Sequence, residues 1–237
     1  YDVIHAVEDC GVIGAVVAGL FGSKLVFEKH SDPSSYKKGF VRNCIMSVYA
    51  AVERFSVRHA DAVIATGPAL AEQARKAGGT APVHHIPDIP SSLVESSGDG
   101  IARARAKMQK NKETLITYVG SFAAYQGVDM MFEAIAVAAK DNTNVRFVII
   151  GGTQDEIAGR RGWLAERDAA EAVEFMGKIP PDELPDYLAA SDILLSPRLA
   201  GSNTPLKLLD YLKAGRAILA TDVESNRQIL DENTALL

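Results

Sequence analysis

The sequence predicts an α/β protein in two domains, each a parallel sheet flanked by helices. Three observations carry that expectation. Short β-branched runs alternate with longer helical patterns, as in successive strand–helix units feeding a parallel sheet. The alternation breaks once, between residues 87 and 100, where the composition changes to proline, serine and glycine. Beyond the break it resumes with enough strand patterns for a second sheet.

In the first half, apolar runs predict strands over 3–5, 25–27, 62–65 and 83–86. Helical spacing predicts helices over 11–20, 40–59 and 68–77, the last stopped by Gly78 and Gly79. The run Pro87-Asp88-Ile89-Pro90-Ser91-Ser92, and then Ser96-Ser97-Gly98-Asp99-Gly100, marks a domain boundary. The expected domains are therefore 1–90 and 112–237, joined by a linker over 91–111 that holds a short basic helix, 101–110. Strands follow over 115–119, 145–150, 172–175, 193–195 and 217–220, with helices over 128–140, 154–170, 181–189, 205–214 and 225–230. The chain starts at Tyr1, not at a methionine, and its first apolar segment already reads as a strand inside a fold, so an earlier start is expected to have been lost.

Composition narrows the function classes. With 237 residues, 47% of them hydrophobic and 23% charged, the chain can bury ordinary cores and is balanced like a globular protein, not a fibrous or membrane-spanning one. The net charge of -5 argues against a general nucleic-acid binder, which needs an excess of Lys and Arg on one face. The longest apolar stretch, 10–21, is too short to cross a bilayer and no signal peptide precedes it. Cys10 and Cys44 show no C-x-x-C spacing and read as two buried thiols in a reducing cytoplasm.

Two strand-to-helix corners carry the chemistry. Gly120 follows the strand over 115–119, and Gly127 opens the next helix with Val128 and Asp129. Unpaired amides and a helix dipole make such a corner an anion site, although an ordinary tight turn looks the same. At the second corner the strand over 193–195 runs into Ser196-Pro197-Arg198-Leu199-Ala200-Gly201-Ser202-Asn203, with Thr204 as a natural N-cap and Pro205 as a natural first helical residue. The amides of Leu206 and Lys207 then face the space above the strand ends, where open α/β sheets bind ligands. Lys207 and Asp210 share a helix face: Lys207 suits a phosphate oxygen and Asp210 a pair of vicinal hydroxyls, while a surface ion pair between them is the plain alternative.

The segment Asn203-Thr204-Pro205-Leu206-Lys207-Leu208-Leu209-Asp210-Tyr211-Leu212-Lys213-Ala214-Gly215 closely resembles the donor signature of family-four retaining glycosyltransferases, the group 1 glycosyltransferases of GT-B fold. Tyr118-Val119-Gly120-Ser121-Phe122-Ala123-Ala124-Tyr125-Gln126-Gly127 resembles the first donor loop of the same family, and Phe175-Met176-Gly177-Lys178-Ile179-Pro180 its loop beside the nucleobase. The resemblance implies two Rossmann-like domains, the N-terminal one incomplete, and a donor site holding Gly120, Ser121, Phe122, Gln126, Lys178, Ile179, Arg198, Asn203, Thr204, Pro205, Leu206, Lys207 and Asp210. It also implies that His30, just past the strand over 25–27, approaches the transferred sugar; a turn histidine bonded to backbone is the alternative. His5, His59, His84 and His85 read as structural or surface residues, and Trp163 as a packing residue.

The resemblance further implies transfer of a glycosyl group from a nucleoside diphosphate sugar to a saccharide or lipid-linked acceptor hydroxyl, with retention and without a metal or bound cofactor. A cytoplasmic protein is expected; Lys37, Lys38, Arg42, Arg54 and Arg58 read as a solvated helix face, with a peripheral contact to anionic lipid at the inner membrane face as the alternative. Departures from the family pattern stand at Ser202, where a first carboxylate is usual, and at Ser121 and Gln126, where cations are usual. They motivate the rival reading of a non-catalytic nucleotide-sugar-binding or scaffold protein of the same fold.

Overall fold

Runs of β-branched and aromatic residues form the strands, and the apolar stripes between them form helices that cover the sheets. The computed structural model describes residues 1–32, 40–142, 144–201 and 204–237, without the side chain of Arg42. The chain divides into two units, Tyr1–Asp88 with Gly201–Thr204, and Ile89–Ala200 with Pro205–Leu237.

The N-terminal unit holds β1 (Val3–Val7), β2 (Lys24–Lys29), β3 (Ala62–Ala65) and β4 (Val83–His85), all parallel and side by side in chain order. Helices α1 (Gly11–Phe21), α2 (Phe40–His59) and α3 (Pro68–Lys76) accompany them. Leu25, Phe27, Val57, Val63 and Ala74 are buried between sheet and helices. Lys29 is also fully buried, and its ammonium is satisfied by Glu53 Oε2 at 2.6 Å and the Ser31 carbonyl at 2.6 Å. Both cysteines are exposed, which corrects the expectation of buried thiols: Cys10 ends a short turn ahead of α1 and Cys44 lies on an outward face of α2.

The C-terminal unit opens with α4 (Gly98–Met108), followed by β5 (Thr114–Val119), α5 (Val128–Asp141), β6 (Val145–Ile150), α6 (Gln154–Ala165) and β7 (Val173–Gly177). Then come α7 (Leu184–Ala190), β8 (Ile193–Ser196), α8 (Lys207–Ala214), β9 (Ala217–Ala220) and α9 (Glu224–Arg227). The parallel sheet has the order β7-β6-β5-β8-β9. The chain therefore winds outward from β5 on one side, then returns to its other side at β8. That reversal is the topological switch point, the place where such sheets open a crevice. Pairing between β5 and β8 reaches Tyr118↔Leu195 and stops there.

Several boundaries differ from expectation, and three of the differences have a plain local reason. The helix expected over 101–110 runs from Gly98 to Met108 as α4 because Ser97 caps it there, and its Ala104 and Met108 are buried against Leu115, Val148, Ile150 and Tyr187. Helix α6 ends five residues early because Asp168 takes a left-handed φ of 57° and the Ala169 amide turns back to the Leu164 carbonyl at 3.0 Å. Helix α8 starts at Lys207 and not at Pro205, because the amides of Leu208 and Leu209 bond three residues back, to Pro205 and Leu206, in a tighter turn. Among the described residues no helix is long and apolar enough to cross a membrane.

Candidate donor site

The carboxyl ends of β5, β6 and β7 converge on a cleft of about 500 Å³ lined by Gly120, Ser121, Gly151, Gly152, Thr153, Glu156, Lys178, Ile179 and Leu184, among others. Parallel strands with their helices packed alongside leave this rim open, and glycine keeps it low. A Cβ on Gly151 would lie 2.1 Å from the Gly120 carbonyl oxygen, so the loops after β5 and β6 touch backbone to backbone. The Gly120 amide donates to the Ile150 carbonyl at 3.0 Å and the Gly151 amide to Gly177 at 2.7 Å, which carries the sheet's ladder past the strand ends.

Lys207 projects from the start of α8 toward the same rim. Its Nζ would stand 3.1 Å from a Cβ on Gly120, donates to Gln126 Oε1 at 2.9 Å and lies 4.4 Å from the centre of the Tyr118 ring. Burial, with a smaller contribution from the Arg198 charge, lowers the Lys207 ammonium to about 7. Lys207 thus approaches the glycine turn without a carboxylate partner among the bonds of the described residues. An anion would relieve the Lys207 ammonium.

Arg198 is 3% exposed; its Nε donates to the Ala200 carbonyl at 2.8 Å and its guanidinium sits 5.5 Å from the Tyr125 ring centre. Phe122 packs edge-on to Phe132 and lies over Gly152, anchoring the loop in the core beneath it. Lys178 is exposed at the mouth of the cleft and Ile179 is half-buried in it. Pro205 is buried, Leu206 exposed and Thr204 half-buried ahead of α8; Asn203, like Ser202, lies outside the described residues.

Lys207 and Asp210 share a face of α8 but do not pair. Asp210 is 8% exposed, and its carboxylate accepts the Ser91 amide at 2.8 Å and the Ser91 hydroxyl. About one turn along, Lys213 Nζ holds the carbonyls of Ser92 at 3.0 Å and Val94 at 2.8 Å. One helix face therefore fastens the 91–94 segment, and the surface-pair reading does not hold.

His30 stands at the carboxyl end of β2 in the N-terminal unit. Its Nε2 lies 2.7 Å from Glu28 Oε1, and the other oxygen of Glu28 lies 2.6 Å from His5 Nε2. The amides of His30 and Ser31 both donate to Glu8 Oε1. Asp88 is held above the usual carboxyl range, by burial first. Of the residues offered for membrane contact, Lys37 and Lys38 and the side chain of Arg42 lie outside the described residues, and Arg58 Nε donates to the Ala77 carbonyl at 2.9 Å.

The sequence reading passed over Gly151, Gly152, Thr153 and Glu156, which form one side of the cleft. The signal was present: two glycines end a strand, and Thr153 with Glu156 makes the reciprocal capping box that starts α6.

Residues 113–237 match the family described as glycosyl transferases group 1, and residues 1–88 match a glycosyl transferase 4-like domain. The phosphatidyl-myo-inositol mannosyltransferase of Mycobacterium tuberculosis is 22% identical over 145 residues, which is 60% of this chain and 36% of that protein. The alpha-D-kanosaminyltransferase of Streptomyces kanamyceticus is 24% identical over 230 residues, 92% of this chain and 58% of that enzyme. Among solved structures, HepE of Anabaena in complex with UDP superposes with a TM-score of 0.82 at 18% identity, covering 100% of this chain and 64% of its own. The chain thus spans less than two thirds of the length of these relatives. With two parallel sheets of the GT-B kind, a glycine-lined rim beside the switch point and a family match over more than half its length, this chain belongs to the group 1 glycosyltransferases.

Proposed function

We propose that the chain binds a nucleoside diphosphate sugar in the cleft of its C-terminal unit and transfers the glycosyl group to a saccharide or lipid-linked hydroxyl, with retention of configuration. The observation that carries this reading is Lys207 Nζ against Gly120, a cation at a rim of glycine backbone with no carboxylate partner among the described residues. The Anabaena neighbour was solved with UDP and with UDP-glucose, which supports a donor of that chemical class. In the proposed mode the diphosphate lies over Gly120, Ser121 and the start of α8, and the base lies beside Lys178 and Ile179. Asp210 takes the ribose only if the diol replaces the two Ser91 donors that now fill its carboxylate. Departure of the diphosphate is the demanding step, and Lys207 with oriented amides stabilises the charge it develops. His30 is assigned to the sugar, held in place by Glu28 and Glu8.

Calorimetry with UDP, GDP and ADP in the presence of a chelator tests the reading, with binding of at least one expected. If none binds, the donor assignment is wrong. The rival, a binding protein without catalysis, is favoured by Gln126, whose amide oxygen occupies Lys207 where a cation is usual in the family. Slow hydrolysis of a bound donor would decide for the enzyme.

A further inference from the structure

The turn from Val119 to Phe122 is fixed peptide by peptide, and two phenol hydroxyls do most of the fixing. Tyr211 of α8 is wholly buried beneath the sheet. Its hydroxyl accepts the Val119 amide at 3.0 Å and donates to the Leu195 carbonyl at 3.1 Å. These are the next groups along β5 and β8 after their pairing stops at Tyr118↔Leu195. The phenol therefore sits where a direct ladder bond would otherwise close the two strands together, and it props the switch point open while leaving no polar group unpaired.

Tyr118 works from the opposite face of the sheet. Its ring is buried with Phe132 and Ile149, and its hydroxyl donates to the Ser121 carbonyl at 2.8 Å. Between the two contacts Gly120 takes a φ of 155°, and a Cβ there would stand 2.6 Å from the Tyr118 oxygen, so the phenol packs directly under the turn. The Gly120 carbonyl abuts Gly151, and the Ser121 carbonyl is drawn down to Tyr118. In a trans peptide the N–H points opposite its C=O. The amides of Ser121 and Phe122 are consequently turned away from these contacts, and neither bonds to a group of the described residues. Two successive free amides form an anion-binding concavity.

We propose that Tyr118 and Tyr211 are positioning residues for the donor diphosphate: their hydroxyls hold the glycine turn so that the amides of Ser121 and Phe122 stand beside Lys207 Nζ. This rests on the donor reading above. Neither tyrosine touches the ligand; each acts through backbone that does. A turn that had to reorganise on binding would lose part of the available affinity, whereas one held from both faces of the sheet does not.

The test compares the 237-residue chain with Tyr118→Phe and Tyr211→Phe, each of which removes only a hydroxyl. The nucleoside diphosphate that binds wild type most tightly and the matching free nucleoside are titrated, the latter by competition NMR. Loss of one hydrogen bond that orients the turn is expected to weaken the diphosphate by about three- to tenfold in Tyr118→Phe and to leave the nucleoside unchanged. Tyr211→Phe leaves Val119 and Leu195 unpaired and is expected to lower the thermal midpoint as well, so its diphosphate-to-nucleoside affinity ratio is the readout, measured well below that midpoint. A general loss of stability lowers both ligands alike. Equal losses for the two ligands, or wild-type diphosphate affinity in Tyr118→Phe, overturn the proposal while leaving the donor reading intact. Failure of wild type to bind any of UDP, GDP and ADP overturns both.

Discussion

Lys207 keeps its ammonium in surroundings that oppose the charge. Burial removes water from it and Arg198 adds a like charge, while among the described residues Gln126 Oε1 and the face of Tyr118 compensate. With the group lowered to about 7, the free protein loses this positive charge as pH rises through neutrality. A diphosphate favours the protonated form and so raises the ammonium's pKa in the complex. Between the free and the bound values, binding takes up a proton, and affinity falls as pH rises by up to about tenfold per unit. Diphosphate affinity is accordingly expected to drop from pH 7 to pH 9 while nucleoside affinity stays level. Calorimetry in two buffers of different ionisation enthalpy counts the proton directly. Lys207→Arg, charged throughout this range, is expected to flatten the profile. A level wild-type profile with no proton uptake would show that the buried ammonium stays charged without its ligand.

At the scale of elements, α5 and the loop after β8 meet at Gly127. Its φ is 70°, and a Cβ there would lie 1.8 Å from the Pro197 carbonyl oxygen, so the turn that opens α5 is pressed against the chain leading to Arg198. Gly127→Ala must strain the backbone and separate the two corners, and is expected to cost at least about 2 kcal/mol. Gly159→Ala, in the interior of α6 with nothing within 4 Å of the added carbon, is expected to stabilise by about 0.5–1 kcal/mol. Urea denaturation of both variants measures the contrast, and a Gly127→Ala protein as stable as wild type would show that the corners do not depend on this contact. Gly127 was legible in the sequence because a glycine between a strand and an apolar helical stripe marks a turn. Helix α2 was legible end to end for the same kind of reason, its stripe being long and unbroken. The partners of Asp210 and Tyr211 were not. Ser91 lies 119 residues before Asp210 and Val119 lies 92 before Tyr211, and periodicity reports which face a side chain occupies but not what its polar tip reaches across the sheet. The start of α8 was misplaced because Thr204 and Pro205 satisfy the usual capping preferences, and only the bonding of Leu208 and Leu209 reveals the tighter turn ahead of the helix.

For the molecule as a whole, the C-terminal unit contains every residue of the cleft, and the question is where that unit begins. A linker over 91–111 implies that residues 112–237 suffice. Helix α4 implies otherwise, since Ser97 caps it, its Met108 and Ala104 fill the face formed by Leu115, Val148 and Ile150, and Arg105 grips Asp192 with two bonds of 3.2 and 3.0 Å. The same Asp192 carboxylate accepts the Leu115 amide at 2.8 Å, so the helix, the first strand and the turn before β8 share one acid. Burying two or three apolar side chains is worth about 3–6 kcal/mol, a large part of the stability of a domain this size. A chain of residues 89–237 is therefore expected to unfold in one cooperative transition and to bind the same nucleoside diphosphate as residues 1–237, within about threefold. A chain of residues 111–237, which keeps all the cleft residues but loses α4, is expected to be less stable by at least about 3 kcal/mol and to bind only in so far as it folds. Guanidinium titration followed by fluorescence of Trp163 compares the two, and calorimetry follows on whatever fraction is native. Equal stability for the two fragments would return 91–111 to the role of a linker and leave the packing of α4 without energetic weight.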